Sequence, residues 1–375
     1  KSKPSRCSRF KGMMRSMALM AAGVLTAGGV YLLFSSRKKK SEHVKFVMGK
    51  FNYEAQHVPA SLLSSGLVYV DRTTTGADEA PVGEVQRTVS VPVRNARGLD
   101  LSIDSNGVKL VPHVIQHVDY EDVDAVVRKY YPECCRLVKE YTGAAEVLAF
   151  DHNLRGSAVQ SWMNKSENEK EQKPALGTKY QSPAAIVHGD YSVTSAPLRL
   201  RMLSEPPKVN DTWGSVTKGN PLIEPQEVEK RLKRRYMFIN VWRNIADEPV
   251  EDMPLGVVDA TTVPNSDLVT FEVRYVDRTG ENYLAKYDPP GGIADDRYHK
   301  WLYFPRMTKH EAMLLKTWDS AGVQFEGFEG EGHTGNKDMA KPPSTFCLHS
   351  AFKDETVSAD CPKRRSIEVR LVAFF

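Results

Sequence analysis

The chain has 375 residues, 41% of them hydrophobic and 26% charged, values of a globular protein with room for a substantial core in one large domain or two ordinary ones. Net charge is +4, but residues 1–41 hold ten Lys and Arg and no acid, so the remainder is mildly acidic, shows no basic stripe and speaks against nucleic-acid binding. Cys7, Cys134, Cys135, Cys347 and Cys361 are odd in number and contain no CxxC pair, which favours a reducing compartment over a disulfide scaffold or a structural zinc.

The first candidate element is Met17 to Phe34, 18 uncharged and mostly apolar residues between two basic clusters. As a helix it would span about 27 Å at roughly 1.5 Å per residue, just short of a hydrocarbon core of about 30 Å. Arg37 to Lys40 follow it, where a cleaved signal would place small residues. Residues 1–40 are therefore expected to be a basic arm with a single-pass membrane anchor at 17–34, its body facing the cytosol. An organellar presequence is the other reading.

Residues 41–88 read as an approach segment with a polar loop over Thr73–Glu84. Residues 89–375 are expected to form a single domain. Val89–Val93, Leu99–Ile103 and Val108–Val111 read as strands, with Asn106-Gly107 as a hairpin turn between the last two. Asp119–Thr142 reads as a helix, because Val123, Val126, Val127, Tyr130, Cys134, Leu137, Val138 and Tyr141 recur every three or four residues. Asp119 or Asp122 caps it, and Gly143 ends it. A His-x-Asp triplet at His117-Val118-Asp119 thereby becomes a loop residue followed by a helix start.

A second copy sits differently. Val147–Phe150 reads as a short strand leading into Asp151-His152-Asn153-Leu154-Arg155, and a charged, disorder-prone stretch follows at Asn164–Pro174. Ala184–Val187 then reads as an apolar strand that delivers His188 and Asp190 at its end. Residues i and i+2 of a strand share a face, so both side chains can reach one ion, with Gly189 leaving backbone room beside it. Pro206–Pro225 is a polar connection and Glu227–Arg235 a short charged helix. Strands return at Tyr236–Trp242, Leu255–Val258, Leu268–Tyr275 and Trp301–Phe304. Thr308 to Glu311 has capping-box spacing before Ala312–Leu315. His333 lies in a Gly- and acid-rich loop. The chain closes through His349 and Arg364-Arg365-Ser366 into Ser366–Phe375, which alternates as a buried strand. Short strands with long loops favour a β-sandwich or barrel, and no GxGxxG or GxxxxGK[ST] motif is present.

Two imidazoles and one carboxylate can occupy one face of a ferrous ion, leaving positions for a cosubstrate and O₂. His188, Asp190 and His349 are the expected ligands and catalytic centre. Arg364, fifteen residues past His349, can grip a carboxylate with its planar fork, and Ser366 can add a bond from the same strand face. Arg365 and Arg370 are its rivals.

Several stretches together resemble the AsaB-type hydroxylase/desaturase family of fungal secondary metabolism, related to gibberellin desaturase and a cephamycin 7α-hydroxylase component. They run in order through Tyr141–Ala144, Phe150–Arg155, Val187–Ser192, Asn240–Arg243, Pro254-Leu255 with Asp259-Ala260, His299–Pro305, Trp318–Ser320, His349–Phe352 and Arg364–Arg370. The resemblance covers roughly residues 65–375 and leaves out the basic arm. Gly189 and Arg243-Asn244 depart from the usual residues. It implies a mainly β protein with flanking helices around a double-stranded β-helix (jelly-roll) core. The implied activity is hydroxylation or desaturation of a small organic, secondary-metabolite-like substrate with Fe(II), 2-oxoglutarate and O₂. Arg155, Trp242 and Arg243 would line the substrate pocket. A catalytically inactive membrane-anchored jelly-roll binding protein, or a component associated with methoxylation and a methyltransferase, is the alternative.

Overall fold

The computed structural model describes residues 46–72, 80–158, 180–208, 211–276, 278–287 and 299–375. The expected membrane span and the Asn164–Pro174 stretch lie outside the described residues. Among those described, no helix is long and apolar enough to cross a membrane.

Strands follow one another as β1 (Phe46–Glu54), β2 (Tyr69–Asp71), β3 (Gln86–Asn95), β4 (Val108–Pro112), β5 (Glu146–Gly156), β6 (Tyr180–Gln181), β7 (His188–Gly189) and β8 (Tyr236–Asn244). They continue as β9 (Leu255–Val258), β10 (Leu268–Arg274), β11 (Thr279–Ala285), β12 (Trp301–Tyr303), β13 (Glu311–Asp319), β14 (His349–Ala351), β15 (Lys353–Asp354) and β16 (Arg365–Phe374). Ten of them form one sheet in the order β15-β1-β3-β12-β9-β14-β7-β11-β10-β2, and six form the other in the order β4-β13-β8-β16-β5-β6.

The two sheets share a core in which Val47 and Phe51 of the large sheet pack with Phe238 and Trp318 of the small one. Strand alternation gives the small sheet two faces of different use. On β8, Tyr236, Phe238, Asn240 and Trp242 point inward, whereas Met237, Ile239 and Val241 join Ile367, Val369 and Leu371 of β16 on the outer face. That outer face is covered by a helical stretch made of Val123–Ala125, a π turn Val126–Tyr130 and Tyr131–Thr142. Asp122 caps it by accepting from the Asp124 N–H, and Gly143 closes it with φ 70.

Several expectations change. Residues 46–54, read as part of an approach segment, are the full-length strand β1, paired along its whole length with β3. Leu99–Ile103 is not a strand, and Asn106-Gly107 is not a hairpin turn. Ser102 caps a short helix, Ile103–Asn106, which Gly107 ends at φ 77. The left-handed residue anticipated there is real, but it stops a helix. The Thr308–Glu311 box opens no helix either: the Glu311 carboxylate accepts from the Thr308 N–H at 2.9 Å, and β13 starts at Glu311. Pairing on both sides with β4 and β8 overrides the local signal.

Candidate active site

β7 is only two residues long, yet it lies between β11 and β14, and its His188 pairs directly with His349. The two imidazole centroids are 4.4 Å apart. Asp190 follows β7 immediately, and its Oδ1 lies 3.6 Å from His188 Nε2 and 3.7 Å from His349 Nε2. One ligand atom from each of the three lies within 4.8 Å of the others, a grouping that could hold a metal ion.

The surrounding bonds fix the chemistry of these atoms. His188 Nδ1 donates to the Ile186 carbonyl at 2.8 Å and His349 Nδ1 to the Cys347 carbonyl at 3.2 Å. A carbonyl only accepts, so both rings carry a proton on Nδ1 and turn Nε2 toward Asp190. Burial pushes His188 down to about 4, with His349 adding to the shift, so its ring is neutral near pH 7. Burial alone would raise the Asp190 carboxyl. His349, Arg370, His188 and a 2.7 Å bond from the Asn240 amide outweigh it and keep the group ionised. Two imidazoles beside a carboxylate are the donor set that divalent iron takes.

The inner faces of three neighbouring strands build the wall opposite. Asn153 of β5 pairs with Glu368 of β16, which pairs with Trp242 of β8; Asp151, Arg370 and Asn240 form the next tier. Arg155 sits one tier the other way, against Ser366. With His188, Asp190 and His349, most of these side chains enclose a cavity of about 360 Å³. Arg364 also lines it. Its guanidinium lies 5.0 Å from the Trp242 ring, with Nε donating to Ser366 Oγ at 3.0 Å and Nη1 to the Met253 carbonyl at 2.6 Å. Among the described residues no carboxylate forms an ion pair with it, and burial, together with Arg155, pushes it down to about 9.

The rivals are engaged elsewhere. Arg365 faces the outside and bonds Glu121 at 3.0 Å and Tyr180, whereas Arg370 donates to Asp151 at 2.6 Å. Arg155 and Trp242 do line the cavity. Arg243 does not: one residue on from Trp242, it points to the opposite face. There it donates to the Tyr130 hydroxyl, to the carbonyls of Lys309 and His113, and to His113 Nδ1. Gly189 also needs correcting. A Cβ there would meet Phe346 at 3.3 Å, so the missing side chain eases core packing and clears no space beside an ion. His117 is an exposed loop residue, as expected.

Sequence reasoning passed over Asn240 and the Asp151–Arg370 pair. The signal was present, because Asn240 lies two residues before Trp242 and therefore on its face.

A family described as the oxidoreductase/YMDC permease-like domain matches residues 57–374. The chain belongs to this family. It is 36% identical to an uncharacterized protein of the dcmA 3′ region of Methylophilus leisingeri, over 52% of this chain and 88% of the other. It is 26% identical to the alpha-ketoglutarate-dependent dioxygenase phiK of a fungal species, over 76% and 84%, and 28% identical to the hydroxylase/desaturase efuI of Hormonema carpetanum, over 83% and 90%. These relatives place it among the Fe(II)/2-oxoglutarate-dependent hydroxylase/desaturases. The iron and alpha-ketoglutarate-dependent endoperoxidase NvfI matches in structure with a TM-score of 0.63 at 21% identity, over 88% of this chain and 98% of that one. The match shows the double-stranded β-helix core.

Proposed function

We propose that His188, Asp190 and His349 hold one ferrous ion, that Arg364 receives the distal carboxylate of 2-oxoglutarate, and that the pair oxidises a small organic substrate. The observation that carries this reading is the pair of Nε2 atoms aimed at a single Asp190 oxygen, both tautomers being set by backbone carbonyls. When bound, the iron with 2-oxoglutarate and O₂ supplies the oxidising power to remove hydrogen from an unactivated carbon, ending in hydroxylation or desaturation. The chain's own residues do the rest. Asn240 keeps Asp190 Oδ2 occupied, so Oδ1 is the oxygen turned to the metal. Ser366 and the Met253 carbonyl aim Arg364, and its planar fork suits a carboxylate in two bonds. Burial of His349 and Arg364 keeps bulk water from both ends of the cosubstrate site.

Anaerobic addition of Fe(II) and 2-oxoglutarate should produce a weak visible charge-transfer band. His349→Ala should abolish both the band and iron-dependent consumption of 2-oxoglutarate, while His117→Ala leaves both intact. Full turnover in His349→Ala would sink the assignment.

For residues 1–40 we infer a membrane anchor, supported by the 18 uncharged residues of Met17–Phe34 between basic clusters. The substrate would then reach the site from a membrane surface.

A further inference from the structure

Asp190 borders two cavities. Besides the Arg364 chamber there is a second, of about 280 Å³, which shares Asp151, Asp190, Tyr275, Asn282 and Arg370 with the first. Its far wall is one face of the helix Ser195–Met202. Ser195, Leu198, Arg199 and Met202 fall at i, i+3, i+4 and i+7 and all line it, whereas Ala196 and Leu200 on the other face are buried in the core. The two chambers have different walls. Both are rich in charged and polar groups, and the second adds Phe150, Tyr191, Leu198 and Met202.

Beside these apolar side chains stands Arg199. The Arg199 guanidinium lies 5.0 Å from the Phe150 ring, which holds it in place, and among the described residues it has no carboxylate partner. Neighbouring acids are already engaged. Asp151 accepts from Arg370 at 2.6 Å, Glu281 from the Ser192 and Thr194 hydroxyls, and Asp211 from the Lys208 N–H at 2.8 Å. Arg364 serves the first chamber in the same unpaired way, which leaves Arg199 over as a second anion receptor on the other side of Asp190.

We propose that the second chamber binds the primary substrate and that this substrate is an organic acid. Its carboxylate sits on Arg199 and its apolar body lies against Phe150, Leu198 and Met202. The inference rests on His188, Asp190 and His349 being the metal site, since that is what makes a chamber bordering Asp190 the place of reaction. A guanidinium favours a carboxylate over a neutral group, because it is always charged and both fork nitrogens can donate.

The test uses the full chain saturated with 2-oxoglutarate under anaerobic conditions, with and without Fe(II). It is titrated with 3-phenylpropionate and with 3-phenylpropanamide, the uncharged analogue of the same shape, followed by calorimetry or ligand-observed NMR. The carboxylate should bind at least about tenfold more tightly than the amide. Arg199→Met, which keeps the stem and removes the charge, should erase that preference, and Arg199→Lys should restore only part of it. In Arg364→Ala the preference should survive while 2-oxoglutarate affinity falls. Equal affinity for the two probes, binding of neither at millimolar concentration, or a preference that persists in Arg199→Met would each overturn the proposal. The titration reads no turnover and can be run without metal, so failure of iron binding would count against the metal site alone.

Discussion

Asn240 touches neither ring of the His pair, yet it decides how Asp190 is presented. Its amide occupies Oδ2 at 2.7 Å, and the carboxylate is otherwise set among imidazoles and Arg370. Replacing it by Leu, nearly the same shape without a donor, should lower Fe(II) affinity roughly 10–100-fold, the usual loss on removing a group that orients a metal ligand. An anaerobic Fe(II) titration measures this, and an unchanged affinity would show that Asp190 needs no such support. A second buried polar cluster lies on the outer face, where Arg243 donates to both a ring nitrogen and the carbonyl of His113. Burial, then Arg243, pushes His113 down to about 4, against an unfolded value near 6.5. Between those limits the unfolded chain takes up the proton first, so stability is full above about pH 6.5 and is lost progressively as pH falls toward 4. His188 contributes with the same sign in the metal-free protein. Thermal midpoints measured across that range should fall less steeply in His113→Asn than in the parent. Equal slopes would remove His113 from the account. At this scale the sequence put His188, Asp190, His349 and Arg364 forward together, and the structure sets the first three within 4.8 Å of one another and Arg364 on the same cavity. It misassigned Arg243 by carrying over a motif without asking which face of β8 each of its residues occupies.

Elements were legible where both sides of a strand agree with the core. Tyr236–Trp242 is apolar almost throughout and Ser366–Phe375 alternates before an apolar end, and they became β8 and β16 near the centre of the small sheet. β1 was not legible, because its inward positions are Val47, Gly49, Phe51 and Tyr53, and the glycine interrupts the alternation. That glycine is there for space: a Cβ would come within 2.7 Å of Val93 and 2.8 Å of Phe352. Gly107 misled in the other direction, since a left-handed residue after Asn serves a helix end as well as a hairpin. It carries φ 77 and would put a Cβ 2.9 Å from that of Cys347. Gly107→Ala should therefore cost about 1–2 kcal/mol, from the left-handed conformation and the contact together. Denaturant midpoints at unchanged slope would measure it, and a neutral result would mean that the Ile103–Asn106 turn relaxes freely.

For the whole molecule, the compact unit runs from His43 to Phe375, and the proposed site lies within it. The anchor proposed for residues 1–40 predicts that the full-length protein resists carbonate extraction and that deleting them moves it to the supernatant, with Fe(II) and 2-oxoglutarate binding intact. A full-length protein already extracted by carbonate, or one found shortened inside an organelle, would favour a presequence instead.

One strand ties the outer layer and the inner chamber to a single register. Along β16, Ser366, Glu368 and Arg370 face inward toward the site, while Ile367, Val369 and Leu371 fill the layer under the helix. The two sets interleave with a period of two, so a slip of one residue would exchange them completely. Three aliphatic side chains would enter the polar chamber, and two charges would be driven into the hydrocarbon layer. No half-correct arrangement lies between these extremes. A molecule that has closed its outer layer correctly has therefore also built the wall of its polar chamber, and a copy slipped by one residue cannot bury that layer.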